Sequence, residues 1–511
     1  MKFSRLFYFA SPTLPFLPTF SALPIRTSRT ALTARAARRL AAAVFVCGAL
    51  LPALVAPVAL TARAATEKPL VCAGKTALGL PEWARNAVIY EVNVSQFSKS
   101  GKLSAVTDAL PRLRELGVTV LWLMPVHPIG KLNRLGPVGS NYSVRDYRAI
   151  NPDYGTAGDF RKLVESAHAR GLRVIMDWVG NHSAWDNPLT KEHPDFYVRD
   201  AQGNFTQAHG WRDVIQFDFS NHDVWDYEYE TMAYWLRDYG VDGFRCDFAD
   251  GPPTECWDYI TAKLRALRPD LFMLAEAEKP QHQLKAFNAS YGFSMMRAIN
   301  DIAKGRAPLS RIDDTLARAR VLFPDGAALL YYTSNHDENA AGTEYERLGG
   351  GAAPFAVLTF VLDGIPLIYN GQEAGLDRRL KPFQHDPITW RADPKAAFYR
   401  TLCELRQTHP ALRTGAPMRR LPTTANESLY AVMREAADGS GRRVLALLNL
   451  TARDIAGASV YDPALAGAWK NVFAGEKEKK KEKGKTLFAA AQTFDLKAWE
   501  YRVYVSEASG K

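Results

Sequence analysis

Cysteine is scarce in this sequence: five among 511 residues. Four of them, Cys72, Cys246, Cys256 and Cys403, lie beyond the N-terminal leader described below and are spread over about 450 residues. That density excludes a disulfide scaffold, and no spacing among them matches a zinc site. Cys246 falls inside an apolar, strand-like segment, where a buried free thiol is the expected state. A glycine-rich phosphate loop after an early strand is also missing, which excludes a nucleotide-binding doubly wound sheet. Acidic residues are absent from residues 1–64, which carry Lys2, Arg5, Arg26, Arg29, Arg35, Arg38, Arg39 and Arg63. The formal charge of +10 therefore sits mostly in that stretch; without it the balance is +2, and the case for nucleic acid or a membrane surface as partner disappears.

The same 64 residues read as an address. A basic stretch from Arg35 to Arg39 precedes an apolar run from Leu40 to Leu60 and the small-x-small triplet Ala62-Arg63-Ala64, the order of a secretory signal peptide. The apolar run is long enough to span a bilayer, but Pro52, Pro57 and the cleavage-like end favour a removable leader. Residues 1–64 are thus expected to export the chain to the periplasm or the medium.

Hydrophobic residues make up 47% of the chain, enough for a large core and too much for one domain. From Ala87 to Asn370 one theme repeats: an amphipathic helix, a glycine or proline break, then a short apolar strand. Leu103, Val106, Leu110, Leu113 and Leu116 mark one helical face, and Val118–Met124 the strand that follows. Further strands are expected at Val88–Val94, Leu172–Met176, Gly243–Cys246, Leu271–Ala275, Leu329–Thr333 and Ile365–Tyr369, with an eighth near Tyr291–Phe293. Strands apolar on both faces belong to a parallel sheet covered by helices, so the pattern predicts a closed (β/α)8 TIM barrel. The barrel is assigned to 65–181 and 228–409. The long polar, aromatic connection at 182–227 is read as an inserted subdomain. Short strands at Leu429–Met433, Val444–Leu450 and Trp499–Val505 place an all-β sandwich at 410–511, with the charged run Glu476–Lys485 as a solvated hairpin loop.

Barrel enzymes carry their chemistry at the C-terminal ends of the strands. Here the third strand runs into Asp177, Asn181 and His182, the fourth into Arg245 and Asp247, the fifth into Glu276, and the seventh into His336 and Asp337. A lone acid at a strand end is usually a helix cap or a surface group. Four in register are poorly explained by stability, since each buried charge costs several kcal/mol unless paired. Two carboxylates held at different pKa values suit glycoside hydrolysis. Arg245, on the same side of its strand as Asp247, is placed to keep that acid ionised, while the apolar strand before Glu276 is expected to raise its pKa. Glu278 is the rival acid.

In order and content, these four segments resemble the signature regions of the α-amylase family of glycoside hydrolases, family 13. Asn141-Tyr142-Ser143-Val144-Arg145-Asp146-Tyr147 resembles the loop after that family's second strand, and Gly364-Ile365-Pro366 through Glu373 its eighth-strand segment. The likeness spans roughly 80–510. It implies a secreted bacterial-type glycosidase acting on α-1,4-glucans, from malto-oligosaccharides to starch. Asp247 would be nucleophile, Glu276 general acid/base and Asp337 a supporting carboxylate. His182, His336, Arg245 and Tyr142 would bind or orient the sugar, with Asp177 as a structural acid beside them. An α-glucosidase or α-glucan transglycosylase uses the same machinery; a non-catalytic glucan-binding barrel would lack one of the two working acids. Gln216-Phe217-Asp218-Phe219 resembles the family's fifth region only loosely, and Ala275 replaces the more usual glycine before the acid. Asn181 stands where many relatives place a calcium ligand, so calcium is the one cofactor the resemblance admits. Trp185, Trp211 and Trp225 are candidate sugar platforms, each more simply read as packing.

Overall fold

A computed structural model describes residues 71–474 and 485–506; the leader at 1–64 and most of the charged run at 476–485 lie outside the described residues. Eight parallel strands close into a barrel. They are β1 (Ile89–Val92), β2 (Val120–Leu123), β3 (Arg173–Trp178), β4 (Gly243–Cys246), β5 (Phe272–Ala275), β6 (Ala289–Tyr291), β7 (Ala328–Tyr331) and β8 (Ile365–Tyr369). β8 pairs with β1, which closes the ring. The eighth expected strand is therefore β6, two residues earlier than the sequence pattern placed it. Phe293 already opens the helix Phe293–Ala303, and only a short 3-10 turn, Pro280–Leu284, separates β5 from β6. Three residues between two turns leave no periodicity to read.

Period two in the strands sorts the side chains into two cores. Ile89, Val120, Trp122, Ile175, Phe272, Leu274, Ala328, Leu330 and Leu367 fill the barrel interior. Tyr90, Leu121, Val174, Phe244 and Met273 point outward to the helices. At Gly243 the backbone of β4 runs so close to β5 that a Cβ would lie 1.8 Å from the carbonyl oxygen of Phe272. Only glycine fits there, and the residues after it are brought to the mouth of the barrel.

The helix Leu103–Leu116 stops at Gly117, in the left-handed conformation at φ 92°, and Ala157–His168 starts at a capping box between Thr156 and Asp159. The inserted segment contains an antiparallel pair, His182–Ala184 with Val214–Gln216. The next barrel helix begins at His222, where the Asn221 side chain accepts a hydrogen bond from the Asp223 amide. The helix thus begins six residues before 228, directly after the residue that caps it. Beyond the helix Pro394–Thr408 lie a six-stranded antiparallel sheet and a two-stranded one. In the strand Leu429–Glu435, Tyr430 and Val432 face the barrel helices while Leu429, Ala431 and Met433 join the separate core with the smaller sheet. Cys72, Cys246, Cys256 and Cys403 are all buried free thiols.

Candidate active site

Arg245 organises the site. It lies two residues after Gly243 on β4, inside the barrel, and is fully buried. Its Nη1 donates to Asp177 Oδ1 at 2.9 Å and Asp247 Oδ1 at 3.0 Å. Its Nη2 forms an ion pair with Glu276 Oε1 at 2.6 Å, and its Nε donates to the Tyr291 hydroxyl. The guanidinium also sits 4.9 Å from the centre of the Trp122 ring, in cation–π range. Strand ends from β3, β4 and β5 thus deliver three carboxylates to one cation. The planar fork of arginine lets Nη1 serve two carboxylates while Nη2 pairs by charge with the third.

The three acids differ in surroundings. Asp177 is sealed in, with Oδ2 taking hydrogen bonds from Trp122 Nε1 at 3.1 Å and Tyr142 at 3.2 Å. Burial pushes its pKa up against the pull of Arg245. Asp247 and Glu276 keep 12% and 14% of their side chains open, so both can meet a ligand. Burial also raises Glu276, with Arg245 opposing and Asp247 and Asp337 reinforcing it; a carboxyl of this kind can hold a proton at neutral pH. Phe248, directly after Asp247, has φ 40°, a left-handed conformation that costs a bulky residue about 1–3 kcal/mol. That bend aims its amide at Glu276 Oε2, 2.8 Å away. Glu278 is turned aside: its carboxylate accepts from the Ser294 amide and hydroxyl and pairs with Arg297.

Asp337 stands at the rim, its side chain 59% exposed, with Oδ2 3.4 Å from His336 Nε2. Tyr142 stacks on His336, ring centres 5.4 Å apart, and its hydroxyl lies 2.9 Å from Nε2 of that ring. Within electrostatic reach of Asp247 lies His182. Burial pushes its pKa down to about 4, and its ring meets the edge of Trp211 at 5.2 Å. The structure therefore assembles Asp177, Arg245, Asp247, Glu276, Tyr142, His182, His336 and Asp337 around one opening.

A family model described as "Alpha amylase, catalytic domain" matches residues 89–399. The chain belongs to that family. It is 31% identical over 391 residues to "Alpha-amylase MalA" of Haloarcula japonica, a match covering 74% of this chain and 55% of that protein; the chain spans about half the length of that relative. It is 24% identical over 444 residues to "Alpha-amylase 2" of Dictyoglomus thermophilum, covering 77% and 74% of the two chains. Among solved structures, a "noncanonic maltogenic alpha-amylase AmyB from Thermotoga neapolitana" superposes with a TM-score of 0.73 at 27% identity, over 83% of this chain and 99% of the other. As a member of the α-amylase family the protein is a glycosidase-type enzyme.

Several site residues of this α-amylase relative carried no sequence-level signal. Glu91, inside β1, reaches His336. Tyr291 reaches Arg245 from the short strand β6. From the insertion, His209 packs on Phe248 with ring centres 4.5 Å apart, beside Trp211, one of the three tryptophans singled out in the sequence, at 5.4 Å. Only Glu91 could have been found, as a carboxylate in an otherwise apolar strand. The contacts of Trp185 and Trp225 lie elsewhere: the first donates to the Arg212 carbonyl, the second stacks on His222 at 4.0 Å.

The surroundings of Asn181 do not fit calcium. Its carbonyl oxygen and Oδ1 each accept a hydrogen bond from Gln216 Nε2 at 3.0 Å. That nitrogen also donates to the carbonyl of Phe217, and backbone carbonyls only accept, which settles the orientation of the Gln216 amide. Both Asn181 oxygens thus face N–H groups, whereas a calcium ion requires six to eight oxygens turned toward it. Among the described residues no group of three His, Cys, Asp or Glu is placed to hold a metal.

Proposed function

We propose that the protein is a retaining glycosidase that cleaves α-1,4-glucosidic bonds in malto-oligosaccharides and starch-like glucans by double displacement. Asp247 attacks the anomeric carbon while Glu276 gives its proton to the leaving oxygen. The glycosyl–Asp247 ester is then opened by a water molecule that loses its proton to Glu276. Asp337 and His336 hold sugar hydroxyls on one side of the reacting ring, His182 on the other, and Tyr142 lies under it. Arg245 keeps the two working carboxyls at a fixed separation. One observation carries the reading. Asp247 and Glu276 share one buried guanidinium and both open to the cleft, and burial drives Glu276 toward the protonated form that an acid catalyst needs.

The test is direct. Asp247→Asn and Glu276→Gln should each lower turnover of maltoheptaose by orders of magnitude while leaving the unfolding transition cooperative. Near-normal rates in either variant would remove that residue from the mechanism. The α-configured product anomer, followed by NMR during the first turnovers, is the expected signature of retention. Chain lengths above that of the substrate would shift the assignment to transglycosylation, and release of glucose alone to an α-glucosidase. The arginine-rich, apolar pattern of residues 1–64 supports export to the periplasm or medium; the N-terminal residue of the mature protein tests it.

A further inference from the structure

Inside the barrel, β1 carries a carboxylate between Trp122 of β2 and Tyr369 of β8. Ile89 belongs to the interior core, so Glu91 points the same way one layer nearer the mouth. It is fully buried. Its Oε1 lies 2.6 Å from Nδ1 of His336 and 3.4 Å from the His336 amide, while Oε2 has no hydrogen-bond partner. A well-packed apolar residue would fill the place without the cost of several kcal/mol that burying an ion carries, so packing does not explain a glutamate here.

The other face of the imidazole completes the argument. Nε2 of His336 is 2.9 Å from the Tyr142 hydroxyl oxygen and 3.4 Å from Asp337 Oδ2. Tyr142 spends its one proton on Asp177 Oδ2, so its oxygen is left to accept. With Glu91 ionised by His336 and Arg245 against the upward push of burial, both ring nitrogens face acceptors. A neutral imidazole has one N–H to offer; only the imidazolium serves both sides.

We propose that Glu91 is a positioning residue for the glycosidic reaction: it holds His336 as a doubly protonated ring with Nε2–H turned into the cleft beside Tyr142 and Asp337. The inference rests on the glycosidase reading above. A charged donor makes a shorter, stronger hydrogen bond to a sugar oxygen than a neutral ring does, and the Glu91 carboxylate keeps that donor from swinging away. The remaining charged and titratable groups facing the pair are Arg245 from β4, Asp177 from β3, Tyr291 from β6, Tyr369 from β8, and Tyr142 and Asp337 beside the ring. Burial pulls the His336 pKa down, but Asp337 and Glu91 outweigh it and Arg245, carrying it to about 10.

The experiment is a ring-nitrogen NMR titration of the full chain labelled with 15N-histidine, with the His336→Gln spectrum used to identify the signal. From pH 6 to 9 both His336 nitrogens should remain protonated in the wild type. In Glu91→Gln the ring should titrate inside that window, and kcat/KM on maltoheptaose should fall roughly 10- to 100-fold, the range typical of groups that orient a functional histidine. Glu91→Asp, which keeps the charge, should recover part of the rate and return the ring to its protonated form. A neutral His336 in the wild type at pH 7, or a titration unmoved by Glu91→Gln, overturns the proposal. Should Glu91→Gln fail to fold, the wild-type and Glu91→Asp spectra decide it. Because the NMR signal needs no turnover, loss of the glycosidase reading would show separately, as Asp247→Asn retaining activity.

Discussion

Replacing Arg245 by alanine removes the one cation, among the described residues, that touches Asp177, Asp247 and Glu276 together. Breaking a single buried ion pair by deleting one partner costs about 3–5 kcal/mol; here three acids lose the same partner, so the loss should reach at least that range, against a total domain stability of about 5–15 kcal/mol. The acids can relieve it only by taking up protons. The folded pKa values of Asp177 and Glu276, already raised by burial, rise further above the unfolded ones, near 4 for such groups, and the sign follows. The stability they contribute is fully present below the unfolded pKa and is lost as pH rises through the folded one. Urea unfolding of Arg245→Ala should therefore show a modest deficit at pH 4.5 and the full one at pH 8, with turnover at neutral pH down about a thousandfold or more through loss of a preorganised electrostatic group. Arg245→Lys should fall between, since one ammonium cannot reach three carboxylates. A deficit under about 1 kcal/mol that is equal at both pH values, with rates within tenfold of wild type, would refute the account of Arg245 as the electrostatic centre of the site.

Burial raises Glu276, so Glu276→Gln should match wild type near pH 5 and become the more stable of the two as pH climbs toward 9, read from urea midpoints; a constant difference would contradict the raised pKa. His182 is depressed to about 4, so its contribution is present above its unfolded value near 6.5 and lost as pH falls through 4. His182→Gln should flatten that acid limb of stability and raise KM, and an unchanged limb would count against the buried neutral ring. With both Asn181 oxygens held by Gln216, a chelator should leave the melting temperature unchanged. Recovery of several degrees on adding calcium, the sign of a ligand bound only by the folded state, would show a site the donors around Asn181 do not suggest.

Much of this protein was determined by local pattern. Seven barrel strands were visible because apolar runs of four to seven residues followed amphipathic helices ended by glycine or proline, and Asp177, Asp247, Glu276 and Asp337 because each sits where such a run stops. The strand β6 was not legible at its true register, being three residues long between a 3-10 turn and a helix. Nor were the short strands of the C-terminal sheets at Met418–Arg420 and Thr486–Phe488. Glu91, Tyr291, His209 and Trp211 came to the site only through closure of the barrel and folding of the insertion over it. Asp247 and Glu276 share a guanidinium although they lie 29 positions apart in the sequence, and Glu91 meets His336 across 245. A sequence determines which groups stand at strand ends, because side-chain period and turn chemistry are local. Which of them share a cation, which are desolvated and which hold a proton depends on distances across the barrel, and those exist only once β8 has paired with β1.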